Sequence, residues 1–153
     1  MTPSGPDNIL ALNNAHKAET GALTRAELIQ LLETAFHSAT EGAGRDGFLI
    51  AFDQDAEYAS PNFIWFKAQR AQFVYIDRVI VAPHAWGRGL ARVFYEGLIA
   101  RARAARHDRI VCEVNLDPPN PGSLAFHAAM GFEAVGEALL PNGKTVRYME
   151  LGL

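Results

Sequence analysis

The sequence has few of the features that mark secreted, membrane-spanning or nucleic-acid-binding proteins. Its 153 residues include a single cysteine, Cys112, so no disulfide can form within the chain and a reducing, cytoplasmic location is expected. No apolar run is long enough to cross a bilayer, and the polar, turn-rich start MTPSGPDN does not read as a secretory signal. The formal net charge of −3 argues against nucleic acid or an anionic membrane as a partner.

What is present is an ordinary globular composition, 49% hydrophobic and 20% charged, in a length that suits one domain with a sizeable core. We expect a flexible tail at 1–7 and a single domain over 8–153. The four histidines outside 120–132 show no metal-ligand spacing, so no metal site is expected.

Alternating segments of strand and helix character dominate the chain. Thr24 and Glu27 have the spacing of a capping box, which predicts an amphipathic helix after it. Strands are predicted at 9–12, 48–53, 72–81, 109–115, 132–139 and 145–151. Further helices are predicted at about 90–107 and at 123–130. Residues 62–66 are predicted to form a strand or an aromatic loop. This order predicts a mixed α/β (α+β) domain, with a central mixed sheet of about six to seven strands and helices on both faces.

A glycine-containing turn lies between a predicted strand and a predicted helix, in VIVAPHAWGRGLA at 79–91. The start of a helix offers unpaired N–H groups and a partial positive charge, and glycine lets a ligand approach the backbone closely. With Arg88 as an added cation, the stretch favours a phosphate or pyrophosphate site. A plain turn in which the glycines serve only the backbone is the alternative, because neither the Gly-Lys-Ser/Thr loop nor GxGxxG is present.

Two segments resemble motifs of the GNAT superfamily of acyl-CoA-dependent N-acyltransferases. VIVAPHAWGRGLARVFYEGL is similar to its cofactor motif, Gln/Arg-x-x-Gly-x-Gly/Ala after a strand. Gly89 and Ala91 match the last two fixed positions, whereas Trp86 stands where Gln or Arg is usual. NPGSLAFHAAMGF at 120–132 resembles the second motif, Asn-x-x-Ala/Ser-x-x-Leu/Phe-Tyr/His-x-x-x-Gly-Phe. The motifs occur in family order and together cover 72–132.

The resemblance implies acetyl-CoA as co-substrate and a set of residues that would contact it. The pantetheine arm would lie along the strand residues Val79, Ile80 and Val81, and the second motif would contribute Asn120. The pyrophosphate would be wrapped by the turn and the first helical residues, Gly87, Arg88, Gly89, Leu90, Ala91 and Arg92. Arg88 or Arg92 would supply the charge that Trp86 lacks.

Glu113 is the first candidate for chemistry. In RIVCEVN, the side chains of Ile110 and Cys112 share one face of the strand and that of Glu113 lies on the other. A carboxylate on a covered strand is costly unless water or a partner reaches it, and ligands bind open α/β sheets at the carboxyl ends of strands. Family members with Leu-Glu-Val at this strand use the glutamate as base. A glutamate at a solvated strand end is the alternative.

His127 is the second candidate, since helical spacing places it within the apolar arc of its short helix. The resemblance puts it where many members carry the tyrosine that protonates the leaving thiolate, and some members that acetylate amino-acid-like herbicides have histidine there. A packed core histidine is the alternative. Asp77 is expected to form a structural ion pair rather than to act as a base, and Cys112 to be core packing.

These observations predict an N-acetyltransferase that transfers an acetyl group directly from acetyl-CoA to a primary amine of a small molecule or peptide. The resemblance leaves open a homodimer and a non-catalytic acyl-CoA-binding regulatory domain of the same fold. The glycine stretch alone leaves open a nucleotide- or phosphate-binding module without acyl chemistry. The identity of the amine and the preferred acyl length are not encoded in any motif.

Overall fold

The computed structural model describes residues 5–153, except for the side chain of Glu19. The helices are α1 (Gly5–Ala15), α2 (Lys17–Thr20), α3 (Arg25–Thr34), α4 (Pro61–Gln69), α5 (Leu90–Ala104) and α6 (Pro121–Met130). The strands are β1 (His37–Glu41), β2 (Gly47–Asp53), β3 (Val74–Val81), β4 (Arg109–Asp117), β5 (Glu133–Leu139) and β6 (Thr145–Gly152). Within the described residues, no helix is both long enough and apolar enough to cross a membrane.

The strands form one six-stranded mixed sheet in the order β1-β2-β3-β4-β6-β5. Only the β3–β4 pair is parallel, and every other neighbour pair is antiparallel. Helices cover both faces. Ile9, Leu12 and Leu28 of α1 and α3 pack with α4 on one face, and Phe94 and Leu98 of α5 pack with α6 on the other. The expected mixed sheet with helices on both faces is confirmed.

The central feature of the sheet is a gap between β3 and β4. These strands pair only at Val74–Ile110 and Tyr75–Val111, although each strand continues for several residues further. The register of β3 against β2 also shifts between Arg78 and Ile76, so Asp77 occupies a bulge. The carboxyl-terminal halves of β3 and β4 therefore flank an opening in the middle of the sheet, where their side chains and backbone groups can meet a ligand.

The predicted strand at 9–12 and the predicted strand or aromatic loop at 62–66 are both wrong. Residues 9–12 lie inside α1, where Ile9 and Leu12 point into the core one helical turn apart. Residues 62–66 lie inside α4, which begins with Pro61 at its first turn and buries Phe63 and Phe66 with the same i, i+3 spacing. Both segments are short apolar runs, in which tertiary packing rather than alternation decides between helix and strand.

The amino-terminal boundary and one edge strand also differ from expectation. Helix α1 begins at Gly5, so the expected tail at 1–7 includes its first residues, and 1–4 lie outside the described residues. The edge strand β1 was not predicted, since HSATE has little apolar content and only alternate residues are partly buried. The capping box is confirmed, because Thr24 Oγ1 accepts from the Glu27 N–H and the Glu27 carboxylate accepts from the Thr24 N–H.

Candidate functional site

Two cavities meet at the gap between β3 and β4. The larger has a volume of about 380 Å³ and is lined by Tyr75, Glu113 and Lys144 among others. The smaller, of about 160 Å³, is lined by Glu113, His127 and residues of β3. Both predicted catalytic side chains therefore reach one connected region, with Glu113 on the wall that the two cavities share.

Glu113 extends from β4 on the face opposite Cys112, as the alternation of RIVCEVN predicts. Its Oε1 accepts a hydrogen bond from Asn62 Nδ2 at 2.9 Å, and Tyr75 Oη lies 2.9 Å from each carboxylate oxygen. Burial raises the pKa of Glu113 to about 7, while the hydrogen bond from Tyr75 acts in the opposite direction. A carboxylate with a pKa near neutrality can both accept and release a proton at physiological pH.

The partners of Glu113 belong to a chain of buried hydrogen bonds. Asn62 donates to Glu113 and accepts from Tyr148 Oη at 3.0 Å, so its amide orientation is fixed from both sides. Burial raises the pKa of Tyr75 well above its ordinary value, which keeps this hydroxyl a donor. The chain joins α4, β3, β4 and β6 and holds the carboxylate in one position.

Asp77 is held in a structural ion pair, as expected. Its carboxylate accepts from Arg78 Nε at 2.7 Å and from Tyr58 Oη at 2.5 Å, and both members of the ion pair are almost fully buried. Arg78 Nη1 also donates to Asn13 of α1 at 3.0 Å. Asp77 and Arg78 therefore neutralise each other and fix the bulge of β3.

His127 is 5% exposed and uses both ring nitrogens. Nδ1 lies 2.7 Å from the Ser123 carbonyl oxygen, which can only accept, so Nδ1 carries the proton in the neutral ring. Nε2 then accepts from Tyr95 Oη at 2.7 Å. Burial lowers the pKa of His127, which favours this neutral form. The histidine thus lines the smaller cavity as part of a pair with Tyr95.

The glycine stretch forms an open cradle at the start of α5. Gly87 has φ +85° and Gly89 has φ +74°, a left-handed backbone that other residues adopt only with strain. A Cβ atom at either glycine would meet no protein atom within 4 Å, so the space in front of both is free. A cavity of about 460 Å³ adjoins the cradle and is lined by these glycines together with Val81, Trp86, Leu90, Ala91, Arg92 and Phe126. The cradle is therefore open to a ligand.

The cationic side chains at the cradle pair with nearby carboxylates. Arg88 Nη1 lies 3.3 Å from Asp46, and Arg92 lies 3.7 Å from Glu96 one turn along α5. Exposed pairs of this kind contribute little to stability and can be exchanged for a phosphate at small cost. Trp86, which replaces the usual Gln or Arg, donates from its indole nitrogen to the Val81 carbonyl at 2.8 Å and leaves its ring largely exposed.

The remaining predicted cofactor residues lie beside the same gap. Val79 lines the smaller cavity and Val81 the cavity at the cradle. The side chain of Ile80 is buried in the core and its backbone carbonyl is directed at Gly47 of β2, so this predicted cofactor residue does not face the gap. Asn120 lines the smaller cavity and caps α6, because its Oδ1 accepts from the Ser123 N–H at 3.1 Å.

Sequence reasoning missed the residues that surround the two candidates, namely Asn62, Tyr75, Tyr95, Lys17 and Lys144. Tyr75 could have been found from its position, since it lies two residues before Asp77 and therefore on the same face of an apolar strand. The other four come from segments far from Glu113 and His127 in the chain, and no local pattern connects them.

Comparison with known proteins agrees with the geometry. The family model described as Acetyltransferase (GNAT) family matches residues 19–132. The phosphinothricin N-acetyltransferase of Alcaligenes faecalis is 32% identical over 94 residues, which cover 61% of this chain and 44% of that protein. The match thus spans less than half the length of that relative.

Solved structures with low sequence identity share the fold. The NatC complex bound to Gag peptide and CoA contains a chain that is 15% identical, with a TM-score of 0.72, covering 99% of this chain and 92% of that one. An N-acetyltransferase from Staphylococcus aureus Mu50 is 20% identical, with a TM-score of 0.68, covering 99% and 96%. Because the family model matches about three quarters of the sequence, across both motifs and the gap between β3 and β4, this chain belongs to the acetyltransferase (GNAT) family, a family of acyltransferases.

Proposed function

We propose that the protein transfers an acetyl group from acetyl-CoA directly to a primary amine of a small molecule or peptide. The observation that carries the proposal is the position of Glu113: a carboxylate with a pKa of about 7, on the wall shared by the two cavities at the gap. The smaller cavity would take the thioester and the larger the amine, so that the reacting atoms meet beside Glu113.

Acetyl-CoA would enter along the edge of β3. The cradle at Gly87 and Gly89 would take the pyrophosphate on the N–H groups at the start of α5, with Arg88 and Arg92 as counter-charges. The backbone of Val79 and Val81 would bind the pantetheine arm, because β3 lacks a neighbouring strand there. The related NatC structure contains CoA, which supports this donor.

Glu113 would act as the base. An amine attacks only as the neutral species, so the ammonium must lose a proton to Glu113, directly or through a water molecule. The neutral amine then attacks the thioester carbonyl. The tetrahedral intermediate collapses with cleavage of the C–S bond, and the nitrogen releases its second proton to solvent to give the neutral amide. Cys112 is an unsuitable nucleophile for a covalent route because burial raises the pKa of its thiol well above the ordinary value.

The Tyr95–His127 pair would serve the departing thiolate. It lines the smaller cavity, and in the neutral pair the Tyr95 hydroxyl proton points at His127 Nε2. We assign the proton taken up by the thiolate to the Tyr95 hydroxyl, which would turn from His127 Nε2 toward the sulfur and then be reprotonated by solvent. His127 would act on the thiolate side by holding that hydroxyl, because its own ring proton on Nδ1 is directed at the Ser123 carbonyl.

The proposal is tested by thiol release from acetyl-CoA across amino acids, peptides, polyamines and aminoglycosides, with wild type and Glu113→Gln. Release with at least one amine, and a loss of about 10²-fold or more in the variant with acetyl-CoA binding retained, supports the proposal. Binding of acetyl-CoA without release with any amine would identify a non-catalytic acyl-CoA-binding domain. Preference for ATP or a phosphosugar over CoA would identify a phosphate-binding module.

A further inference from the structure

Lysine side chains are concentrated at the larger cavity. The chain contains three lysines, and two of them, Lys17 and Lys144, line this cavity together with Glu113. They come from α2 and from the turn before β6, so the fold brings them together from distant segments. The third lysine, Lys67, is exposed on α4 and does not line the cavity.

The side chain of Lys144 contacts α2 at the residue next to Lys17. Lys144 Nζ donates to the carbonyl of Ala18 at 2.8 Å, and Ala18 directly follows Lys17 in α2. An ammonium group has three N–H donors, so this contact orients Lys144 and leaves two donors for a ligand. Lys144 is half-buried, which strengthens its attraction for an anion compared with that of a fully solvated lysine.

The other charges on the cavity wall do not cancel these two. Asp77 and Arg78 neutralise each other and are nearly fully buried. Among the described side chains that line the cavity, this leaves Glu113 against Lys17 and Lys144, a net positive charge even when Glu113 is ionised. A substrate whose only charge is an ammonium would be repelled by the lysines, whereas one that also carries an anion would be attracted at both ends.

We infer that the acceptor is a small amine that also carries an anionic group, in the manner of a free amino acid, with its amine at Glu113 and its anion at Lys17 and Lys144. This inference rests on the proposed function and narrows its acceptor class. The cavity volume of about 380 Å³ suits a molecule of this size. The anion would fix the acceptor before reaction, which turns binding energy into orientation of the amine.

The test compares acceptors that differ only in the anion. Thiol release from acetyl-CoA is measured with each free L-amino acid, its carboxamide and its decarboxylated amine. Rates are expressed per concentration of neutral amine, because the three forms differ in amine pKa. The wild type should use at least one amino acid about tenfold or more better, in kcat/KM, than its two partners, the size expected for a charge-assisted hydrogen bond.

Matched variants distinguish binding of the anion by the two lysines from a general effect of substituting a lysine. Lys17→Gln and Lys144→Gln should each lower kcat/KM for the amino acid by about tenfold, mainly through KM, and change that for the carboxamide less than about twofold. Lys67→Gln, the same change outside the cavity, should leave both unchanged.

Two results would overturn the inference without affecting the proposed function. Equal or better use of the carboxamides or decarboxylated amines by the wild type would refute the anionic acceptor while leaving the acetyltransferase proposal intact. Equal losses for amino acid and carboxamide in both lysine variants would show that the lysines do not bind the anion. Absence of thiol release with every acceptor would instead refute the proposed function, and the inference with it.

Discussion

Tyr75 Oη lies 2.9 Å from each carboxylate oxygen of Glu113, next to the last pair at which β3 and β4 are joined. The hydroxyl comes from one strand and the carboxylate from the other, so this contact spans the opening of the sheet at its base. It also opposes the effect of burial, since a donor to a carboxylate stabilises the ionised form. Tyr75 is therefore a positioning residue that keeps Glu113 usable as a base near neutral pH.

Tyr75→Phe should move the acidic limb of the kcat/KM profile to higher pH. Removing the hydroxyl takes away a hydrogen bond to the charged form, so the pKa of Glu113 rises further above its ordinary value of 4.5. A hydrogen bond to a charged group contributes about 1.5–3 kcal/mol, which corresponds to a shift of about one to two pH units. The full pH profile of thiol release measures it.

Tyr148→Phe is the matched control, because it removes a buried hydroxyl that reaches Glu113 only through Asn62. Its limb should move less than that of Tyr75→Phe. An acidic limb that stays in place in Tyr75→Phe would show that the limb does not report Glu113.

The stability of the protein should depend on pH through Glu113. The carboxyl has a folded-state pKa of about 7, above the ordinary 4.5, so the folded state binds this proton more tightly than the unfolded state does. The stabilisation from the bound proton is complete below about pH 4.5 and is lost as the pH rises through about 7. The wild type should therefore lose free energy of unfolding over this range relative to Glu113→Gln, as measured by urea unfolding at several pH values. A constant difference between the two proteins would contradict the raised pKa.

Gly89→Val should abolish the rise in melting temperature that acetyl-CoA produces in the wild type. A ligand that binds only the folded state stabilises it, and a branched side chain at Gly89 would project into the free space where the phosphates are proposed to lie. The substitution also strains a backbone with φ +74°, at a cost of about 1–3 kcal/mol. Thermal unfolding with and without acetyl-CoA separates the two effects.

Gly143→Val controls for the strain alone. Gly143 has φ +87° and equally open surroundings, but it lies in the turn between β5 and β6, away from the cradle. This variant should lose a similar amount of stability and keep the full acetyl-CoA shift. An unchanged shift in Gly89→Val would remove the cradle as the phosphate site.

His127→Phe should slow thiol release about 10²–10⁴-fold, the usual contribution of general acid–base catalysis, with acetyl-CoA affinity nearly retained. It should also destabilise the fold by about 1–3 kcal/mol, because the Tyr95 hydroxyl loses its buried acceptor. Adding Tyr95→Phe removes that stranded hydroxyl, so the double variant should recover stability without recovering activity. Turnover and unfolding of the single and double variants are compared side by side. Recovery of both properties together would show that His127 is core packing.

The sequence by itself determined the features that depend on local pattern. The glycines at 87 and 89 had to lie in a turn before a helix, because their neighbours form an apolar strand on one side and an amphipathic helix on the other. The alternation around Glu113 placed its carboxylate on the face opposite Cys112. The two motifs were sufficient for the family, and the succession of strand and helix patterns was sufficient for a mixed sheet with helices on both faces.

Tertiary structure alone decided how those elements meet. Short apolar runs at 9–12 and 62–66 became helices because the core accepts Ile9 and Leu12, and Phe63 and Phe66, one turn apart. The raised pKa of Glu113, its contacts with Tyr75 and Asn62, and the position of Lys17 and Lys144 at one cavity all depend on segments that are distant in the chain. Periodicity and turn chemistry act over a few residues, whereas burial and charge in a cavity arise only when distant segments pack together.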